Sequence, residues 1–188
     1  SIEKMQCDYL DLLLIHRLSP CVDPEQVAKA FDHLHQSGKV RNFGVSNYTP
    51  SKFSMLQSYV NQPLITNQIE ISALHLDPFN DGTLDYLMEK RIRPMAWSPL
   101  SGGELFNKEN PVGVRVRKTL LEIGQRFNET NVDTLAYAWL LSHPAKITPV
   151  IGSGELRRIK RAVDALSIHF NEQDWIEVYK AAQGHDIP

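Results

Sequence analysis

Five short apolar runs, each ending in small, polar or imidazole-bearing residues, constrain the fold of this 188-residue chain more than any other feature. Segments with helical spacing of apolar residues separate them. Buried strands that alternate with helices are typical of α/β proteins, which gather their functional groups where parallel strands end. We therefore expect the chemistry at the carboxyl ends of these strands. The runs are residues 9–16, 40–47, 65–68, 92–98 and 147–153.

The segments between the runs carry helix signals. Asp23-Pro24 and Thr49-Pro50 each place a polar residue before a proline, a common helix start. Residues 101–113 are rich in glycine and show no helical period, which predicts a long functional loop. Residues 1–7 resemble the end of a helix, so we expect that the first portion of the protein is absent from this sequence. Further helices are predicted after residue 83 and over residues 114–127, 132–142, 155–166 and 172–182.

Composition excludes several classes of function. The net charge is −2 and there is no basic block, which argues against nucleic acid or an anionic membrane as the main partner. No apolar stretch is long enough to span a membrane, and no signal peptide is visible. Two cysteines do not make a disulfide framework, which fits a reducing compartment. We expect a soluble cytoplasmic protein.

Parallel strands joined by helices form either an open doubly wound sheet or a closed barrel. A dinucleotide-binding sheet of the Rossmann type is normally marked by a G-x-G-x-x-G turn, which this sequence lacks. A barrel needs about eight strands, more than the apolar runs of this sequence supply. If the fold is a barrel, the remaining strands must lie outside these 188 residues.

Five segments, in order, resemble the aldo-keto reductase family. They are DYLDLLLIH (8–16), GKVRNFGVSN (38–47), NQIE (67–70), WSPL (97–100) and PVIGSG (149–154). The resemblance implies an α/β fold, a (β/α)8 TIM barrel of which this chain holds only about the last five βα units. Residues 1–188 would then be the C-terminal portion of one barrel domain whose N-terminal strands are absent. It also implies an oxidoreductase that transfers a hydride from NADPH to an aldehyde or ketone.

Four residues at strand ends suit a nicotinamide, which has a flat ring and a carboxamide. Asn47 and Gln68 can donate and accept hydrogen bonds through their amides, and Ser46 can do so through its hydroxyl. Trp97 offers an aromatic face. The resemblance implies that all four contact the nicotinamide, although the stacking residue in the family is commonly Tyr. Alternatively, Asn47 caps the following helix and Trp97 belongs to the core.

His16 is the candidate catalytic residue because it ends a buried strand and its imidazole can donate to a carbonyl oxygen. The resemblance implies that it orients the substrate carbonyl beside a Tyr, an Asp and a Lys, which lie upstream in the family. None of the tyrosines of this sequence replaces that Tyr, so we expect the chain alone to be incomplete and inactive. No histidine shows a metal-ligand spacing, and no metal is expected.

The last strand end suits a phosphate. Glycines let the backbone approach an anion, and cations at a helix N-terminus are unfavourable unless an anion meets them. We expect the 2′-phosphate of NADP(H) on Arg158 with Arg161 nearby, and the choice between Arg157 and Arg158 stays open. A solvated basic face is the alternative. The resemblance adds residues of the loop that folds over the pyrophosphate. The candidates for the phosphates and the loop are Ser98, Leu100, Ser101, Gly103, Gly152, Ser153, Gly154, Arg158 and Arg161.

Two rival functions remain. Some members of the superfamily are cofactor-sensing regulatory subunits of channels, which bind NADPH with little turnover. An unrelated (β/α)8 lyase or isomerase would need a catalytic Lys or carboxylate at a strand end, and Glu70 is the one tempting residue. The sequence does not distinguish among carbonyl substrates, nor does it fix the oligomeric state.

Overall fold

A sheet of five parallel strands forms the centre of the computed structural model, which describes residues 2–17 and 19–186. Each strand pairs with the next one along the chain, so the spatial order is β1-β2-β3-β4-β5. All five predicted strands are present, and the arrangement is half of a barrel. β4 and β5 are shorter than the apolar runs suggested. The strands are β1 (Leu10–Ile15), β2 (Val40–Ser46), β3 (Leu64–Glu70), β4 (Met95–Trp97) and β5 (Thr148–Pro149).

Helices occupy the connections, close to where the sequence predicted them. The loop predicted over residues 101–113 is partly wrong: a 3-10 helix spans Ser101–Phe106 and the next α-helix already begins at Pro111. The four-residue α4 was not anticipated. The α-helices are α1 (Ile2–Met5), α2 (Pro24–Gln36), α3 (Pro50–Gln57), α4 (Asp77–Asn80), α5 (Thr83–Glu89), α6 (Pro111–Gly124), α7 (Val132–Leu141), α8 (Leu156–Asp164) and α9 (Glu172–Gln183), with short 3-10 turns at Gln125–Phe127 and Ala165–Ser167.

Side-chain caps fix where several helices begin. The Asp23 carboxylate accepts from the amides of Glu25 and Gln26 at the start of α2. The Thr49 hydroxyl accepts from the amide of Lys52 at the start of α3. Each such cap stabilises a helix by about 1 kcal/mol, and the prolines at the first helical position are pre-organised for it.

The core lies between the sheet and the helices that cover its outer face. Phe31 of α2 stacks on Phe43 of β2 with ring centroids 3.9 Å apart. Glycine is required at position 44 of the same strand, because a Cβ there would lie 2.7 Å from the Leu14 side chain and 2.8 Å from the Thr66 carbonyl oxygen. Leu84 and Leu87 of α5 are buried in this core, whereas Met88 of the same helix is exposed.

Both outer strands have an open side. Within the described residues, β1 pairs only with β2, and β5 pairs only with β4. The neighbouring α8 and the turn after it present an apolar stripe to solvent, with Leu156, Val163 and Leu166 exposed by 65%, 55% and 60%. In the described part of the chain, no helix is both long and apolar enough to cross a membrane.

Candidate functional site

The carboxyl ends of the strands meet at one edge of the sheet because all the strands are parallel. The register pairs Ile15 with Val45 and Ser46 with Gln68. It also pairs Glu70 with Trp97. His16 follows directly after β1 and is exposed at the same edge. The structure thus brings the predicted catalytic residue and the predicted nicotinamide residues to the carboxyl-terminal edge of the sheet.

A chain of hydrogen bonds joins the predicted nicotinamide residues across three strands. The Trp97 indole N–H donates to Asn47 Oδ1 at 2.8 Å. The Asn47 amide nitrogen donates to Ser46 Oγ at 3.2 Å, and that hydroxyl donates to the Gln68 carbonyl oxygen at 2.8 Å. The side chains of Trp97, Asn47 and Ser46 therefore hold one another in place, and Gln68 takes part through its main-chain carbonyl.

Asn47 owes its position to its backbone. Its φ is +58°, in the left-handed region that Asn tolerates better than most residues, and its N–H donates to the Gln68 carbonyl oxygen at 3.0 Å. The helix that follows is capped by Thr49. The alternative in which Asn47 caps this helix is therefore wrong. Trp97 is half-buried and does not belong to the closed core.

The segment after β4 is held to this edge of the sheet by its own contacts. Ser98 and Ser101 both have left-handed backbone, and the Ser101 N–H donates to the Ser98 carbonyl oxygen at 2.7 Å. The Ser101 hydroxyl bonds the Ser72 hydroxyl at 2.8 Å. Ser72, which follows β3, was missed because no motif contains it. Leu100 is half-buried against the core, and Gly103 has a φ of +100°.

Two tyrosines have a raised pKa, the opposite of what an activated proton donor needs. Tyr48 and Tyr137 are both buried, and burial raises the pKa of each phenol. The Tyr48 hydroxyl finds no hydrogen-bond partner within the described part of the chain. Burial therefore favours the protonated form of both phenols.

Two arginines that follow β5, Arg157 and Arg158, form ion pairs with a carboxylate of this chain. Glu155, directly before α8, accepts from Arg158 Nε at 3.0 Å and from Arg157 Nε at 3.3 Å. The cluster does not by itself require an external anion, because the chain supplies a carboxylate of its own. Ser153 Oγ accepts from the Glu155 amide at 3.1 Å. A Cβ on Gly152 would meet open space, as would one on Gly154.

Arg161 has a structural partner. Its guanidinium lies 3.3 Å from Asp133 of α7, whose side chain is 9% exposed. The pair joins α7 to α8 and commits Arg161 to packing. Nothing at position 133 in the sequence indicated this contact, which spans 28 residues.

Clefts beside the sheet include two formed by residues that the structure describes. One of about 240 Å³ adjoins Asn47 and Trp97, and its wall includes Glu70 and His75. The larger, about 460 Å³, lies where β3 begins, away from the predicted site. Glu70 sits 4.0 Å from the His75 ring, and no cluster of three potential metal ligands occurs among residues 2–17 and 19–186.

Comparison with known proteins defines the class. The chain belongs to the aldo/keto reductase family, whose family model matches residues 1–183. It is 47% identical to the oxidoreductase YdhF of Escherichia coli and 47% identical to a 6-dehydroglucose reductase of Agrobacterium fabrum. Each match covers all of this chain and 62% of the relative. The chain thus spans about three fifths of the length of these relatives.

The fold agrees with solved structures of the same class. The structure of the thermostable aldo-keto reductase Tm1743, bound to the inhibitor epalrestat, superposes with a TM-score of 0.85 at 23% identity. The match covers 96% of this chain and 62% of that one. At this identity the likeness concerns the fold.

Proposed function

We propose that these residues belong to an NADP(H)-dependent reductase of aldehydes or ketones, and that His16, Ser46, Asn47, Gln68 and Trp97 form its nicotinamide and substrate end. The observation that carries the proposal is the hydrogen-bonded set of Trp97, Asn47 and Ser46 at the edge where His16 emerges. When bound, the reduced nicotinamide supplies a hydride. The chain's own groups orient its carboxamide, offer a face to its ring and donate a hydrogen bond to the substrate oxygen.

The phosphate end of the proposal uses the residues after β5. Gly152 and Gly154, on either side of Ser153, leave open space beside the backbone, and Arg157 and Arg158 are largely exposed. Because the adenosine of NADPH carries a phosphate that NADH lacks, exposed guanidiniums at this position favour NADPH. Ser98, Leu100, Ser101 and Gly103 begin the segment proposed to cover the pyrophosphate.

We further propose that the five strands are the last five of an eight-stranded barrel. The open sides of β1 and β5 support this, as does the exposed apolar stripe on α8, which a continued barrel would cover. The Tyr, Asp and Lys that assist His16 in the family would then lie outside these 188 residues. On this proposal, residues 1–188 do not catalyse reduction by themselves.

Titration of the intact protein with NADPH and with NADH, followed by fluorescence, tests the cofactor assignment. Arg158→Ala should weaken NADPH binding at least about tenfold, since a charge-assisted hydrogen bond to phosphate is lost, and should leave NADH unchanged. Arg91→Ala, an exposed arginine before β4 at the other edge of the sheet, is the matched control. Equal affinity of the unaltered protein for both cofactors, with no change on Arg158→Ala, would refute the phosphate assignment.

Turnover tests the catalytic assignment. With an oxidised sugar of the kind named for the Agrobacterium relative, or with a generic aldehyde, His16→Asn should lower kcat about a hundredfold or more while NADPH binding is kept. A protein that binds NADPH but reduces no carbonyl would instead favour the regulatory alternative.

A further inference from the structure

Glu155 occupies the cations that the proposed function assigns to a phosphate. Its Oε2 lies 3.0 Å from Arg158 Nε and its Oε1 lies 3.3 Å from Arg157 Nε. Both carboxylate oxygens are therefore engaged, one by each guanidinium. The residue immediately precedes α8, so the carboxylate also stands where the helix N-terminus favours negative charge.

Glu155 takes up two of the three cations that this region leaves for a phosphate. Arg161 is held by Asp133, which leaves Arg157, Arg158 and Lys160 on the first turns of α8. A 2′-phosphate that enters must break or share both contacts of Glu155. It must also approach a carboxylate whose charge has the same sign as its own.

We propose that Glu155 is a specificity-determining residue that competes with the 2′-phosphate of NADP(H) for Arg157 and Arg158, and so narrows the preference for NADP(H) over NAD(H). The inference rests on the proposed cofactor function. NADH presents a neutral 2′-hydroxyl, which leaves both ion pairs intact and can itself donate to the carboxylate. Glu155 therefore weakens the binding of NADPH and leaves the binding of NADH unhindered.

Glu155→Gln in the intact protein tests the inference, with NADPH and NADH as the probes. The amide removes the charge and keeps the size. NADPH should bind about three- to tenfold more tightly, as expected from releasing two exposed ion pairs, and NADH should bind equally or more weakly. Asp164→Asn is the matched control, because it removes a carboxylate from the other end of α8, where no ion pair to Asp164 occurs in the described residues.

The two proposals fail in different ways. If Arg158→Ala weakens NADPH binding but Glu155→Gln does not strengthen it, the inference about Glu155 is overturned and the phosphate assignment stands. The same holds if Asp164→Asn strengthens NADPH binding as much as Glu155→Gln does, since the effect is then one of net charge. If the unaltered protein does not distinguish NADPH from NADH and Arg158→Ala changes neither, the phosphate assignment itself is overturned.

Discussion

The indole N–H of Trp97 is expected to orient the Asn47 amide, and replacing Trp97 by Phe isolates that role. Phe keeps an aromatic face for the nicotinamide but has no donor. Asn47 Oδ1 then loses the hydrogen bond that it accepts at 2.8 Å. With Trp97 half-buried and Asn47 exposed, water can replace the lost donor, so the net loss should be about 1 kcal/mol.

A double-mutant cycle separates this hydrogen bond from the smaller size of Phe. The four proteins are the unaltered chain, Trp97→Phe, Asn47→Ala and the double variant. The coupling free energy measured by urea unfolding should be about 0.5–1 kcal/mol. In binding, Trp97→Phe should weaken NADPH about threefold to fivefold, because the amide is no longer held ready for the carboxamide.

The cycle can also refute the reasoning. A coupling free energy within about 0.3 kcal/mol of zero is what independent sites give. A coupling free energy this small would mean that the Trp97 indole and the Asn47 amide do not interact in solution. If Trp97→Phe then bound NADPH as tightly as the unaltered protein, Trp97 would act through its ring face alone.

Gly44→Ala should lower the free energy of unfolding by about 2–3 kcal/mol, because its Cβ would lie 2.7 Å from Leu14 Cδ2. In Gly152→Ala the new Cβ would lie in open space, so this variant should match the unaltered protein in urea unfolding. If both variants lost the same free energy of unfolding, a steric clash at position 44 would not be the cause. Burial lowers the pKa of His143 to about 4, so the unfolded imidazole binds a proton at a higher pH than the folded one. Stability should fall as pH drops from about 6.5 to about 4, by about 1–2 kcal/mol. His143→Asn, which can still accept from the Ala145 amide, should make the free energy of unfolding less dependent on pH in this range. If the pH dependence is unaltered in His143→Asn, it arises from other groups.

The strands were predictable because parallel strands covered by helices leave short apolar runs in the sequence. Runs such as residues 10–15 are almost wholly apolar and end abruptly in polar residues. The helices with a capping residue and proline were predictable for local reasons. α4 was not, since four residues are too few to show a period. The 3-10 helix at Ser101–Phe106 contains two left-handed glycines, which have no helical signature.

That the residues of the candidate site share one edge of the sheet was predictable, and their contacts were less so. Polar groups at successive strand ends must share an edge, and this placed Asn47, Gln68 and Trp97 together before any geometry was known. The partners of the arginines were not predictable in the same way. Asp133 reaches Arg161 across 28 residues, a contact that only packing of α7 on α8 creates. Glu155 is adjacent in sequence, but a capping position alone does not indicate which cations it holds.

Left-handed backbone by itself does not mark the edge of the sheet that carries the proposed site. Asn47 and Ser98 adopt it just after their strands, but Arg91 and Lys146 adopt it before β4 and β5, at the opposite edge. Such residues cost about 1 kcal/mol or more each. At the edge of the proposed site, the cost of left-handed backbone accompanies hydrogen bonds between side chains. The Trp97 indole donates to Asn47, and the Asn47 amide donates to Ser46. The left-handed backbone after β2 therefore directs the Asn47 side chain, and Trp97 and Ser46 hold its amide in place. Left-handed backbone together with these hydrogen bonds, and not backbone strain alone, distinguishes the proposed site.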